Sequence, residues 1–350
     1  MKHFRFLLLP LSLIYHMITG IRNWLYDKQY LKSFHLDIKT ISVGNLTVGG
    51  TGKTPVVEYL IELMKGEYNL TTLSRGYKRK TKGMVIASLQ DTARTIGDEP
   101  AQLYSKFGKE IGVAVCEDRL YAIPHILYSR PETNLVLLDD AFQHRRIIPT
   151  CNILLSDFNR PFYSDWLMPA GNLRESRKNA NRADVVIVTK CPPDLTVDGF
   201  NNILTLVRKY IPGEVPVYFM NIHYADPVPF FKPHYKIEDN VILVTGIAQP
   251  KSLVDFIQEK YHLLKHFKFP DHHFYTNNDI IKILDCFQKN HTKNVSILFT
   301  EKDITRIRNS GVQDILMDLP VFFQPITYKF AHSGSEFNEF IQKVLVNTVD

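Results

Sequence analysis

A mostly parallel α/β sheet with flanking helices, followed by a smaller second α/β domain, is predicted from two features of this 350-residue chain. From Asp37 onward, short β-branched runs alternate with longer amphipathic segments. The strand runs also lack the polar alternation of a half-exposed sheet, so both faces are expected to be covered. Strand–helix repetition then favours parallel pairing, because parallel neighbours need a crossover. The predicted division is an N-terminal helix at residues 1–30, a larger unit at 31–225 and a second unit at 226–350 that closes over the site.

Composition narrows the class. With 45% apolar and 22% charged residues, the chain can bury a core and is too apolar for disorder. Its net charge of +6 suits an anionic substrate or a membrane surface, though it requires neither. Cys116, Cys151, Cys191 and Cys286 lie far apart, without the paired spacing of a zinc or redox site. They read as apolar residues of a reducing compartment.

The N-terminus is basic at first and strongly apolar from Phe4 to Ile21, with Pro10 and His16 inside the run. It lacks a signal-peptide cleavage site and is short and interrupted for a spanning helix. Arg22, Trp24, Tyr26, Lys28 and Tyr30 follow, the mixture that sits among lipid headgroups. A monotopic or peripheral anchor is therefore expected.

Along the larger unit, KTISVGN (39–45) is the first predicted strand and 55–65 its helix. NLTTLSR, GMVIAS, IGVAV, NLVLLDD, CNILLSD and ADVVIVTK continue the strand series, with helices at 100–108 and 117–128. Residues 192–216 read as irregular, broken by PPD and IPGEVP. VPVYFM leads into the second block. Its predicted elements are a strand in NVILVTGIAQP, a helix at 250–265, the link KHFKFPDHHFY, a further helix and a strand in NVSILFTEKD. VFFQPITYKF reads as one or two strands and EFNEFIQKVLV as a closing helix.

VGNLTVGGTGKTP carries the clearest chemistry. Gly49, Gly50 and Gly52 permit the torsions that wrap amide N–H groups around a phosphate. Lys53 adds a point charge for the outer phosphates, and Thr54 a hydroxyl suited to Mg²⁺. Thr47 departs from the G-x-x-x-x-G-K-[ST] pattern, which wants glycine there, but it precedes the glycine cluster. Thr47, Val48, Gly49, Gly50, Thr51, Gly52, Lys53 and Thr54 form the expected ATP-binding set. NLVLLDDAFQHRR delivers Asp139 and Asp140 to a strand's carboxyl end, where such sheets bind ligands and an acid can hold Mg²⁺. Gln143, His144 and Arg145 follow, as bracing groups or as solvated loop residues.

Two further stretches stay open on spacing alone. IGDEPAQL reads first as a helix start, with Asp98 as N-cap and Glu99 as a first-turn acid. In FPDHHFY, His272 or His273 beside Asp271 could ligate a metal, or a histidine–carboxylate pair could take a hydroxyl proton. Basic residues gather at Arg75, Lys78, Arg79, Lys80 and Lys82, at Arg119, and at Arg174, Arg177, Lys178 and Arg182. No nucleic-acid module accompanies them, so an anionic-substrate groove competes with a solvated face.

Taken with LSRGY, GDEP, MPAGNLRE, VVIVTK, VTGIAQP and FTEKD, these stretches resemble the tetraacyldisaccharide 4'-kinase family in order along the chain. The family's own loop resembles this one in lacking glycine at the Thr47 position. The resemblance implies a phosphate-loop NTPase-like fold. It also implies Mg²⁺-dependent transfer of the ATP γ-phosphoryl group to the 4'-hydroxyl of a tetraacylated glucosamine disaccharide 1-phosphate. Its catalytic pair falls on Asp98 and His272, with Lys53 and a phosphate-contacting Arg119. Thr54, Glu99, Asp139 and Asp140 are the metal candidates. The partners expected are the acylated lipid and the cytoplasmic face of the inner membrane, with no nucleic acid and no obligate protein partner. Ala141, Lys78 and Asn172 depart from the family's glycine, glycine and proline, which bears on loop shape. The alternatives are another phosphate-loop kinase or NTPase at a membrane, or a nucleotide-switched membrane-binding protein. A Rossmann dehydrogenase is disfavoured, because no G-x-G-x-x-G stretch opens the fold.

Overall fold

The computed structural model describes residues 7–290, 294–308 and 310–347. The first six residues of the predicted anchor lie outside them. In chain order the elements begin with α1 (Leu9–Asp27), β1 (Lys39–Asn45), α2 (Lys53–Met64), β2 (Leu70–Ser74), β3 (Val85–Ile86) and α3 (Ala93–Ile96). Next come α4 (Asp98–Phe107), β4 (Gly112–Val115), α5 (Arg119–Ser129), β5 (Leu135–Asp139), β6 (Cys151–Asp157) and β7 (Val185–Cys191). They continue with α6 (Val197–Val207), β8 (Val217–Tyr224), β9 (Val228–Pro229), β10 (Asn240–Thr245), α7 (Lys251–Lys260), β11 (His262–Lys268) and α8 (Asn277–Lys289). The last are β12 (Val295–Thr300), α9 (Glu301–Ile307), α10 (Gln313–Leu316), β13 (Val321–Gln324), β14 (Ile326–Phe330) and α11 (Gly334–Val346).

Among the described residues a nine-stranded sheet runs β14-β8-β7-β6-β1-β5-β2-β4-β3. Its interior pairs are parallel and only the edge pairs β14–β8 and β3–β4 are antiparallel. Both faces are covered, as the continuous apolar strands require. On one face Val56, Leu60 and Ile61 of α2 pack with Phe337, Ile341 and Leu345 of α11. On the other, Ala122, Ile123 and Ile126 of α5 meet Val136 and Leu138 of β5.

A five-stranded sheet, β11-β10-β12-β13-β9, forms the smaller unit. The chain enters it just after β8. It leaves earlier than the expected span of 226–350 implies: Pro325 separates β13 from β14, and β14 pairs with β8 in the larger sheet. With α11 in the larger unit's core, the C-terminal strand and helix belong to that unit. Two local readings also change. The stretch 192–216 contains α6, whose Ile203 and Val207 are buried on the larger sheet. The helix predicted at 250–265 stops at Lys260, and β11 follows as an edge strand of the smaller sheet.

Helix α1 faces its own protein with polar groups. Ser12 and Asn23 are its buried residues, while Leu11, Leu13, Ile14, Met17, Ile18, Ile21 and Trp24 are exposed. Ser12 Oγ donates to the Leu167 carbonyl at 3.0 Å and Tyr15 OH to the Arg174 carbonyl at 2.7 Å. Asn23 Nδ2 donates to Glu175 Oε2 at 3.0 Å. Among the described residues no helix is long and apolar enough to cross a membrane.

Candidate active site

Strand β1 ends at Asn45, whose side-chain amide donates to the Thr47 carbonyl and to Thr51 Oγ1, both at 2.8 Å. Thr47 itself forms an antiparallel bridge with Leu173. The loop's entry is therefore extended backbone, which needs no glycine. Val48 N–H donates to the Asn172 carbonyl at 2.8 Å, and Thr189 Oγ1 to the Thr51 carbonyl at 2.8 Å. Lys190 donates to the Gly50 carbonyl and pairs with Asp157 at 2.6 Å. Gly52 has φ 80°, and a Cβ there would lie 2.0 Å from the Tyr328 hydroxyl of β14. The late strand thus supports the early loop. Lys53 and Thr54 open α2, where the first amides have no partner within the helix.

Beside this cradle, β5 ends at Asp139, and Asp140 turns the chain with φ 49°. Asp140 Oδ1 lies 2.8 Å from Arg174 Nη1 and 3.5 Å from Lys53 Nζ. Burial opposes its charge, but Lys53 and then Arg174 outweigh it and hold the carboxyl at about 2. Asp139 behaves oppositely: burial, only partly offset by Lys53, pushes it up to about 6. Its Oδ1 is buried without a hydrogen-bond partner among the described residues. No group of three His, Cys, Asp or Glu side chains among those residues is arranged to hold a metal by itself.

Arg119 is fully buried under the same corner. Its Nη2 donates to the carbonyls of Asp139 and Asp140, both at 3.3 Å, so it shapes the backbone that presents the acids. Burial, followed by Arg75, lowers its guanidinium to about 10. Gln143 braces the cradle from outside, donating to the Asn45 carbonyl at 2.8 Å and to Glu175 at 3.0 Å. Burial, then Arg119, pushes His144 down to about 4.

The structure brings Asp98 and His272 together. The cap of α4 is Gly97, with φ 94°, and Asp98 is the first helical residue. This replaces the expected N-cap role: the Asp98 carboxylate reaches across to the smaller unit. Its Oδ2 is 2.8 Å from His272 Nδ1 and 2.7 Å from Arg306 Nε. Burial opposes the charge on Asp98, and the His272 bond and Arg306 outweigh it, lowering its pKa. His272 sits at φ 61° beyond β11, with the Tyr77 ring edge-on at 5.4 Å. His273 turns the other way and pairs with Asp279 at 2.9 Å, the acid of the α8 capping box.

Glu99 is paired with Lys302 at 2.9 Å. Burial opposes its charge, but Lys302 holds it at about 2. Lys302 and Arg306 were not read as site residues, although FTEKD was singled out. Their i, i+4 spacing puts both on one face of α9, toward α4. Glu175 was also missed. It is buried, and Asn23, Gln143, Asn179 and Arg182 all donate to it.

Fold and cradle together define a phosphate-loop phosphotransferase. The family model described as tetraacyldisaccharide-1-P 4'-kinase matches residues 4–346, and the chain belongs to that family. The tetraacyldisaccharide 4'-kinase of Cytophaga hutchinsonii is 44% identical over 309 residues, covering 87% of this chain and 85% of the relative. That of Flavobacterium psychrophilum is 38% identical over 354 residues, covering 100% and 98%. Among solved structures, LpxK from Aquifex aeolicus in complex with ATP is similar, with a TM-score of 0.75 and 29% identity. The match covers 97% of this chain and 99% of that one.

Proposed function

We infer that this kinase transfers the γ-phosphoryl group of ATP to the 4'-hydroxyl of a tetraacylated disaccharide 1-phosphate, with Asp98 and His272 receiving the hydroxyl proton. The observation that carries the reading is the 2.8 Å contact between those side chains, 174 residues apart and from different units. An ionised Asp98 can only accept, so His272 Nδ1 bears the hydrogen in that contact. Nε2 then keeps its lone pair and takes the proton as the hydroxyl attacks, while Asp98 stabilises the imidazolium. Lys53 and the loop amides meet the phosphates, whose charge they stabilise without rearrangement.

Mg²⁺ fits the corner between loop and strand. Asp139 offers a buried oxygen with no hydrogen-bond partner among the described residues, and Thr54 a hydroxyl at the helix start. These two would hold the ion, with Asp140 beside them. Glu99, tied to Lys302, fits less well as a direct ligand. When bound, Mg²⁺ neutralises charge on the transferring phosphoryl group.

The exposed apolar face of α1 supports action at a lipid surface, and we propose that this surface is the cytoplasmic face of the inner membrane. Replacing Ile14 and Ile18 with serine is expected to weaken sedimentation with phospholipid vesicles without lowering thermal stability; unchanged sedimentation contradicts the anchor. The reaction is tested with γ-labelled ATP and the acylated disaccharide 1-phosphate. Label at the 4' position is expected. Label appearing only as inorganic phosphate would favour a nucleotide-switched binding protein.

A further inference from the structure

We propose that Arg306 is the positioning residue that assembles the Asp98–His272 pair across the two units. The proposal rests on the reading of that pair as the proton acceptor. The Arg306 side chain has 0% exposure, and its donors reach three anchors. Nε donates to Asp98 Oδ2 at 2.7 Å, and Nη1 to both the Gly246 carbonyl and Asp303 Oδ1 at 2.8 Å. The same Gly246 carbonyl accepts the backbone N–H of His272 at 3.2 Å. One planar group therefore fixes the side chain of the acid and the backbone that carries the histidine.

Asp303 closes this frame from behind. Its Oδ2 accepts from Gly246 N–H at 2.9 Å and from Thr300 Oγ1 at 2.5 Å. Gly246 must stay small, since a Cβ there would lie 2.7 Å from Asp303 Oδ1 and 3.3 Å from Arg306 Nη1. A rigid fork suits the task. Lysine would keep the charge but could not hold Asp98 and the Gly246 carbonyl at fixed angles together. Stability alone is a poor explanation for the arrangement, because a buried ion pair seldom adds net stability over apolar packing.

The test is steady-state kcat and KM, with thermal stability, for Arg306→Gln, Arg306→Lys, Gly246→Ala, Asp98→Asn and the Arg306→Gln/Asp98→Asn double variant. Arg306→Gln is expected to lower kcat by about 30-fold or more and Arg306→Lys by about 10-fold, with the KM for ATP within about 2-fold. The double variant should be little worse than Asp98→Asn alone. If Arg306→Gln does not fold, Arg306→Lys and Gly246→Ala carry the test, because both keep every buried charge and Gly246→Ala, by displacing the frame, should also lower kcat by about 10-fold. A folded Arg306→Lys enzyme with parental kcat, or losses that multiply in the double variant, would overturn the role of Arg306 while Asp98→Asn stays impaired. A normal Asp98→Asn enzyme would instead overturn the pair itself.

Discussion

Helix α4 meets the smaller unit at both ends, and the two contacts balance charge differently. At its start, Asp98 has His272 and Arg306, and Glu99 has Lys302. Arg306 is shared with Asp303, but Asp98 and Glu99 each have a cation in contact, and both are held below the ordinary carboxylate range. Toward its end, Lys106 lies 2.7 Å from Glu58 of α2 and 2.8 Å from Glu301 of α9. Gln102 donates to the same two acids at 2.8 and 3.3 Å. Two buried acids thus share one lysine. Burial pushes Glu58 up to about 7; Lys106 resists the shift and the charge of Glu301 adds to it. Glu99 and Glu58 are both buried, so the cation held by the one and shared by the other separates their behaviour. The first end suits proton transfer and the second suits adhesion between units.

The largest expected effect sets the scale for a chemical defect that touches neither contact. Lys53→Ala should lower turnover by about 10³-fold at saturating ATP while the fold persists, because the cation that stabilises the transferring phosphoryl group is lost. A folded variant with near-parental turnover in a labelled-ATP assay would remove the loop from the chemistry.

Next comes the far end of α4. Lys106→Met removes the lysine that bridges Glu58 and Glu301, at about 3 kcal/mol of stability near pH 8. The cost should shrink near pH 5.5, where Glu58 is protonated, and kcat per folded molecule should stay close to parental. Urea titrations at both pH values check the first statement. A large kcat defect in the folded variant would show that the two ends are not separable.

The smallest effect is the pH slope of Glu58. Its folded value of about 7 lies above its ordinary 4.5, so the native state binds more protons between those values. The stability it contributes is full below about 4.5 and is lost as pH rises through about 7. Glu58→Gln should therefore flatten the stability–pH curve across that window. A curve of unchanged slope would place the titrating group elsewhere.

What the sequence made legible follows the range of the interactions. The phosphate loop and β1 depend on neighbours in the chain, and KTISVGN matches β1 from Lys39 to Asn45. The acids at the end of β5 were readable because a strand's carboxyl end is a local position. Asp98 was legible only as a helix start; resemblance, not spacing, linked it to His272. Arg306 and Lys302 stayed hidden because their partners lie 208 and 203 residues away. β11 was misread because its partly buried residues, Leu263, Leu264, His266 and Phe267, fall in pairs three apart and imitate a helix face. The return of β14 to the larger sheet was invisible, since strand patterning says nothing about which sheet a strand joins. The inward polar face of α1 was hidden as well, because apolar content alone does not reveal which side a helix turns to its own protein.

The central claim is that Asp98 and His272 work as one proton-accepting unit assembled from two parts of the chain. It is tested most directly by kcat, at saturating ATP and lipid, for Asp98→Ala, His272→Ala and the double variant, each with its thermal stability. Each single change should cost about 10²-fold or more, with the KM for ATP little altered, and the double should be little worse than either alone. Losses that multiply, or a stable Asp98→Ala enzyme with parental kcat, would contradict the account.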